Sequence, residues 1–414
     1  MQPDPPEEKK LPPVVYRLGW ISFFADVCSE MAYPIMPLFI VSVLNAPKFA
    51  LGIIEGIALA VVNFMRGWSG FKSDQIGKRA PFIQVGYLTS GLSKPIIGLA
   101  HAWPTVLGAR ILDRFGKGVR TTARDAMLAD SVDKTQYGKA YGLHQGMDTA
   151  GAFVGVILTL LLLWLWTGTL PTDSLYRRIF YLAAIPGFIA WLITLTLKDQ
   201  PQAANPKPQD PQLSTGPAAE RPSFAWSSLS GAYWRAVVIS SVFALANSSD
   251  TFLMLRGHDV GLSDFYVVLA YALYNLVFGL LSYPVGKLSD KLGRWPTLFI
   301  GWLIYAAVYF GFAFTNAFSI WLLFAAYGIS IGTVTAVNKA LVADLSPPEF
   351  KGSAMGVFQV ATGVATLIAS PIVGLVWDRF GAGGAFQLGA AFALIAVVLI
   401  PLTGALKKRP ITDR

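Results

Sequence analysis

The hydrophobic pattern of this chain consists of long apolar stretches separated by short polar segments. The segment 151–166 contains one polar residue, and the segment 180–197 contains no charged one. Stretches of about 20 apolar residues match the hydrocarbon thickness of a lipid bilayer. The pattern therefore predicts an all-α membrane protein. Its twelve expected spans are 15–43, 50–72, 80–100, 103–124, 139–165, 177–197, 231–255, 264–286, 296–315, 318–343, 352–376 and 384–405.

A polar segment in the middle of the chain divides these spans into two groups of six. The segment 198–230 contains six prolines and no long apolar run, which is typical of a flexible linker. The predicted organisation is a tail (1–14), a six-helix bundle (15–197), the linker (198–230), a second six-helix bundle (231–405) and a second tail (406–414).

The distribution of charge indicates an orientation in the membrane. Only 14% of the residues are charged, against about 25% in an average soluble protein. Most Lys and Arg residues lie in the tails, in the loops after the even-numbered spans or at the adjoining span ends. Cytoplasmic loops are enriched in Lys and Arg. We therefore expect a multi-pass protein of a bacterial inner membrane with both termini in the cytoplasm. Because the cytoplasmic loops account for the net charge of +9, this charge does not indicate nucleic-acid binding. The opposite loops carry only Lys48, Arg177, Arg178, Arg256 and Arg379.

Two sequence blocks occur once in each half of the chain. Ala-Met-Leu-Ala-Asp at 126–130 returns as Ala-Leu-Val-Ala-Asp at 340–344. The loop after span 2 and the loop after span 8 share a pattern of two glycines, an aspartate and a basic residue. Two matched blocks in the same order indicate an internal duplication, and parallel six-helix halves are a transporter architecture.

The duplicated G-x-x-x-D-x-x-G-[RK] loop resembles the signature between helices 2 and 3 of the major facilitator superfamily, and the resemblance covers about 15–405. It implies two pseudo-symmetric six-helix bundles around a central cavity, and transport by alternating access. It also implies that the loop tethers helices in one conformational state. The gating residues that it implies are Gly70, Asp74, Gly77, Lys78, Gly286, Asp290, Gly293 and Arg294.

The chain departs from the family pattern at two places. The fourth-helix signature usually places small residues after an Arg, whereas here Arg110 is followed by a strongly charged segment. In the fifth helix, Ala152 occupies the position of the proline that is typical of drug/proton antiporters. The second departure weakens the inference of drug efflux.

Span 4 carries the candidate substrate site. Arg110, Asp113, Arg114 and Lys117 follow i, i+3, i+4, i+7 spacing, so they share one face of a helix. Charges at membrane depth face a bundle interior or a wet cavity. They bind an anionic or zwitterionic substrate, form a salt-bridge network with Asp26, Glu30 and Asp113 that holds the helices together, or do both. The predicted substrate-binding residues are Arg110, Arg114, Lys117, Asn247 and Lys339.

Acidic residues in three spans are candidates for proton coupling. Asp26 and Glu30 are four residues apart on one face of span 1, where two carboxylates cannot both ionise cheaply. His144 and Asp148 form a similar pair on span 5, and Asp250 of span 7 corresponds to Glu30 in the second half. The alternative for each is a static role in helix packing.

Together these features predict a proton-coupled secondary transporter of a charged or amphipathic small organic molecule, and not an enzyme. One alternative is a multidrug-type proton antiporter for lipophilic compounds, and another is a membrane sensor or membrane enzyme. The sequence lacks a phosphate-binding loop and a nucleophile elbow. With one cysteine and three scattered histidines, no metal or cofactor is expected. The expected partners of the monomer are the lipid bilayer, the substrate and protons.

Overall fold

The computed structural model describes residues 11–133, 136–199, 226–347 and 350–403, and this part of the chain contains helices and no strands. The predicted tails and linker lie largely outside it. The first bundle begins with α1, which is broken at Pro34 and continues after it. Its helices are α1 (Pro13–Ala32, then Met36–Leu38 and a π-turn at Phe39–Val43), α2 (Lys48–Ile76), α3 (Ala80–Gly98), α4 (Trp103–Asp130), α5 (Tyr137–Trp166) and α6 (Thr172–Thr194).

The second bundle repeats this order. A single helical run at Lys351–Leu402 would be about 78 Å long if straight, more than twice the thickness of a bilayer. Gly381, at φ +76°, interrupts it and divides it into α11 (351–380) and α12 (382–402). The other helices are α7 (Gly231–Ala246, then Thr251–Asp259), α8 (Asp264–Leu292), α9 (Arg294–Phe314) and α10 (Ile320–Leu345).

Twelve helices of the described residues therefore form an all-α membrane protein, as the sequence predicts. By length and hydropathy alone, nine helices of this part qualify as membrane spans. The candidate at Ser353–Leu402 contains both α11 and α12. The helices α3 and α4 do not reach the hydropathy criterion because they carry the polar and charged side chains of the interior described below.

Glycines allow close helix packing inside the first bundle. A Cβ on Gly151 of α5 would collide with the backbone of Phe23 on α1. A Cβ on Gly118 of α4 would lie 2.9 Å from the carbonyl oxygen of Val62 on α2. The second bundle is instead filled with aromatic side chains, among which the rings of Phe243 and Trp302 stack at 4.6 Å.

The two bundles meet on one face of the molecule. We call the face with the start of α1 and the end of α12 the terminal face, which the charge pattern predicts to be cytoplasmic, and the opposite face the distal face. A Cβ on Gly52 of α2 would collide with the backbone of Ser370 on α11. One on Gly56 would lie 3.0 Å from the carbonyl oxygen of Leu367. Nearer the terminal face, a Cβ on Gly67 would meet nothing within 4 Å. The helices α2 and α11 therefore pack closely at their distal ends and diverge toward the terminal face.

Further contacts tie the bundles together on the distal side. The backbone N–H groups of Lys48 and Phe49 on α2 donate to the carboxylate of Asp378 at 3.0 and 2.9 Å. These N–H groups lie in the first turn of α2, where backbone N–H groups have no acceptor within the helix. The hydroxyl of Tyr176 on α6 donates to Asp264 of α8 at 2.5 Å. The bundles are thus joined through a helix terminus and two carboxylates of the second bundle.

The helices differ from the predicted spans in two respects. The helices α2, α4 and α8 extend beyond the predicted spans toward the terminal face, because their last turns are charged and a hydropathy pattern ends before them. Two predicted spans, 15–43 and 231–255, are not continuous helices, since α1 is also broken at Pro34. The structure breaks α7 between Ala246 and Thr251, in the sequence Asn-Ser-Ser-Asp. Side chains of these residue types compete with helical hydrogen bonds.

Candidate functional site

A cavity of about 440 Å³ lies between the two bundles, and the breaks in α1 and α7 border it. Four helices of the first bundle, α1 to α4, contribute polar side chains to its wall, and so do α7, α8 and α11 of the second bundle. A volume of this size suits a small organic molecule. Its charged lining residues are Glu30, Glu55, Arg66, Lys94, Arg110, Asp113, Arg114, Lys117 and Asp250.

A closed ion-pair network forms the wall of the first bundle. Lys94 of α3 donates to Asp113 of α4 at 2.6 Å, and Arg110 donates to the other oxygen of Asp113 at 3.3 Å. Arg110 also binds Glu55 of α2 through two nitrogens, at 2.7 and 3.1 Å. The Lys94 and Asp113 side chains are only 4% and 7% exposed. Two cations and two carboxylates therefore balance one another and join three helices.

Three further cations, Arg66, Arg114 and Lys117, line the cavity without a full partner of their own among the described residues. Arg114 contacts only Asp113, at 3.5 Å, and that carboxylate is already shared with Lys94 and Arg110. Lys117 lines the cavity and makes no ion pair with any described residue. Arg110 thus pairs with Asp113, as predicted, and with Glu55 of α2 rather than with Asp26 or Glu30. Arg114 and Lys117 present positive charge to the cavity, and their role in substrate binding stays a prediction.

The second bundle contributes acceptors and tyrosine hydroxyls. Asp250, at the break in α7, accepts hydrogen bonds from Tyr274 at 3.1 Å and from Tyr327 at 2.6 Å. Asn247 also lines the cavity, as predicted for a substrate contact. Lys339, also predicted to bind substrate, is exposed on α10 and does not line the cavity.

The predicted proton-coupling residues fall into separate groups. Asp26 of α1 and Asp148 of α5 are near enough to interact electrostatically. His144, one turn from Asp148, shares a hydrogen bond of 2.8 Å with Ser22 of α1. These three residues lie between α1 and α5 and do not line the cavity. Glu30 lines it and accepts from Tyr271 of α8 at 3.0 Å, so this carboxylate links the two bundles.

The duplicated loops form corresponding ion pairs at the terminal face. Arg294 binds Asp290 at 2.6 Å and Asp344 of the second repeated block at 2.9 Å. In the first half, Arg79 lies 3.8 Å from Asp130 of the first repeated block. Within each bundle, the glycine-containing loop therefore lies next to the Ala-x-x-Ala-Asp block.

The first-half loop uses a different basic residue from the one predicted. The sequence predicts Lys78 by its alignment with Arg294, but Lys78 is exposed and Arg79 makes the ion pair. The side chain of Asp74 lies outside the described residues, so its predicted gating role stays a prediction.

The glycines of these loops have different surroundings. Gly77 and Gly293 adopt φ values of +68° and +94° at the ends of α2 and α8, which favours glycine there. A Cβ on Gly70 would lie 2.9 Å from the side chain of Thr122 on α4. Gly286 has open space around it.

Several cavity residues were not among the predicted site residues. Glu55 and Lys94 complete the ion-pair network, and charged residues inside apolar spans were a usable signal for both. Ser249, which donates to Glu55 across the bundle interface at 3.4 Å, carried no such signal. Its position depends on the break in α7, which an apolar pattern does not reveal.

Comparisons with known proteins agree with this architecture. The sequence profile of the Major Facilitator Superfamily matches residues 18–333 and 254–413. An uncharacterized MFS-type transporter of Methanocaldococcus jannaschii is 34% identical over 410 residues, which cover 97% of each chain. A probable 4-methylmuconolactone transporter of Cupriavidus pinatubonensis is 27% identical over 372 residues, which cover 86% of this chain and 82% of that one.

A solved structure supports the fold. A bacterial homolog of the human lysosomal transporter Spinster, in an inward-facing and occupied conformation, matches with a TM-score of 0.74 at 15% identity. The match covers 95% of this chain and 96% of that one. Two six-helix bundles around a central cavity are thus common to both proteins.

Proposed function

This chain belongs to the major facilitator superfamily, and we propose that it is a proton-coupled secondary transporter of a small organic anion. The observation that carries the proposal is the position of Arg114 and Lys117. Both cations line a cavity at membrane depth without a full partner of their own. An uncompensated charge at this depth is costly, and a bound carboxylate would compensate it.

The charged wall distinguishes this proposal from the export of lipophilic drugs. A cavity for such compounds is expected to be lined mainly by apolar and aromatic side chains. Here one wall is a network of paired and unpaired ions. The guanidinium of Arg114 suits a carboxylate or a phosphate. The relative named for 4-methylmuconolactone supports a small oxygenated organic substrate.

Proton coupling is proposed to use Asp26 and Asp148 with Glu30. Asp26 of α1 and Asp148 of α5 are acidic groups that interact electrostatically across the contact between these helices. Glu30 lies one turn from Asp26 and binds Tyr271 of the other bundle. A change in its protonation would alter a bond between the bundles, which is how proton binding could favour one conformation over another. The localisation in an inner membrane with both termini cytoplasmic stays part of this proposal.

Binding to the purified protein tests the anion site. Carboxylates of different shape, such as benzoate, lactate and glucuronate, are compared by ligand-induced thermal stabilisation. We expect at least one to stabilise the wild type, and Arg114→Gln to weaken its apparent affinity at least tenfold. The matched control is Arg178→Gln, at an exposed arginine near the distal face. Equal affinity in a well-folded Arg114→Gln variant would remove the substrate role of this arginine.

A further inference from the structure

The break in α7 brings four consecutive polar residues to the cavity. Asn247, Ser248, Ser249 and Asp250 all line it. The first half of α7 ends at Ala246, so the negative end of its dipole lies at the break. In transporters, unwound backbone and the C-terminal ends of half-helices form sites for cations.

Asp250 provides a carboxylate without a cationic partner. Its bonds come from the hydroxyls of Tyr274 and Tyr327, and no Lys or Arg within the described ranges forms an ion pair with it. Neutral hydroxyls stabilise a carboxylate without cancelling its charge. A buried carboxylate in this state favours a cation close by.

A second carboxylate reaches the same place from the opposite bundle. Oε1 of Glu55 is bound to Arg110, but Oε2 points to Ser249 at 3.4 Å. Asp250 and Glu55 are close enough to repel each other. Both bundles therefore place carboxylate oxygens beside Ser249. Among the described residues, Arg110 neutralises part of this negative charge through its contact with Glu55.

Aromatic faces surround this position. The ring of Tyr271 lies 5.7 Å from that of Tyr33 and 5.8 Å from that of Tyr274. The ring of Tyr274 lies 5.1 Å from that of Tyr327. The face of a tyrosine ring attracts a nearby cation.

We propose that the break in α7 is a subsite for a monovalent cationic group, formed by Asp250, Glu55 and Ser249. This rests on the proposed function: the anionic group of the substrate binds Arg114 and Lys117, and the cationic group binds the break in α7. The substrate class is then a small zwitterion, such as an amino acid or an amino-substituted aromatic acid. Sodium has the same charge, and the experiment distinguishes the two sources.

The first test measures charge selectivity at the break and needs no substrate. Cys28 is the only cysteine, so Ser249→Cys is introduced in a Cys28→Ser background. Its rates of modification by a cationic and an anionic methanethiosulfonate reagent are compared with those of a small thiol in solution. We expect the cationic preference at residue 249 to exceed the solution value about tenfold or more, because a nearby carboxylate concentrates cations.

Variants assign this preference to Asp250. Asp250→Asn is expected to lower the preference about tenfold, and Asp250→Glu, which keeps the charge, to retain it. The control Asp259→Asn removes an exposed carboxylate from the same helix and is expected to leave the preference unchanged. A preference equal to that of the solution thiol, or one that Asp250→Asn does not lower, would overturn the subsite. A protonated Asp250 would give the same result and would leave Asp250 a proton site.

Protection of residue 249 from the cationic reagent identifies the occupant. The probes are 4-(aminomethyl)benzoate, its matched anion 4-methylbenzoate, and NaCl against N-methylglucamine chloride. Stronger protection by the zwitterion than by the anion supports a substrate ammonium group, and protection by NaCl alone supports sodium. If neither protects, the subsite is overturned. If the charge preference holds and NaCl protects, but no carboxylate binds to the protein, the subsite stands and the proposed anion transport fails.

Discussion

The most informative single substitution is Asp113→Asn, in the ion-pair network of α4. It replaces the carboxylate that Lys94 contacts at 2.6 Å, Arg110 at 3.3 Å and Arg114 at 3.5 Å. Glu55 remains, but it reaches only Arg110 among these cations. The substitution therefore leaves a lysine that is 4% exposed and Arg114 without a carboxylate partner.

The expected loss of stability follows from this burial. Removing one partner of a buried ion pair costs about 3–5 kcal/mol, because the other charge remains in a low-dielectric interior. Asp290→Asn is the matched control, since it also removes a carboxylate from an arginine, at 2.6 Å, but at a side chain that is 62% exposed. An exposed pair contributes about 0–1 kcal/mol.

Thermal unfolding in detergent measures the difference between the two variants. We expect Asp113→Asn to unfold several degrees below Asp290→Asn, which should stay close to the wild type. The double variant Lys94→Gln/Asp113→Asn should regain part of the loss, because it removes the uncompensated lysine as well. Equal midpoints for Asp113→Asn and Asp290→Asn would refute the conclusion that the network is a buried structural unit.

Three further predictions follow from the packing, the acids and the charge pattern. Gly52→Val should force α2 and α11 apart at their distal ends, because the valine side chain would meet the backbone of Ser370. The control Gly67→Val should be tolerated. Distances between spin labels on the two helices measure the separation, and unchanged distances in Gly52→Val would contradict the prediction. Asp26→Asn should abolish accumulation driven by a pH gradient and spare counterflow exchange in proteoliposomes, and gradient-driven accumulation in the variant would move the proton site elsewhere. A cysteine at Lys291, which is exposed on the terminal face, should be shielded from an impermeant thiol reagent in intact Cys28→Ser cells and labelled after permeabilisation, and labelling in intact cells would reverse the predicted orientation.

Apolar pattern and internal repeats were sufficient to predict the helical architecture. Long uncharged stretches required a bilayer, and the repeated Asp-containing blocks indicated two similar halves. The structure explains why both blocks recur: Arg294 bridges Asp290 to Asp344, and Arg79 approaches Asp130. A linear motif assigns one residue to each position, so it pointed to Lys78, whereas the turn at Gly77 brings the next residue into contact.

Cavity residues could be predicted where a charged residue interrupts an apolar span. They could not be predicted where a break in the backbone determines which side chains reach the cavity. The charged face of α4 follows from helical spacing, and it lines the cavity. Helical spacing alone could not show which of these side chains form the ion-pair network and which lack a full partner, because Glu55 and Lys94 come from other helices. Nor could it locate Ser249, since a break in a helix depends on local polar competition that hydropathy does not register.

The measurement that tests the central claim most directly is uptake of a labelled carboxylate into proteoliposomes under an imposed pH gradient. The carboxylate is the one that stabilises the purified protein best. We expect accumulation above equilibrium that collapses when a protonophore dissipates the gradient. Arg114→Gln should reduce this accumulation at least tenfold, whereas Arg178→Gln should not. Uptake that ignores the gradient, or that both arginine variants support equally, would contradict proton-coupled transport of an organic anion through this cavity.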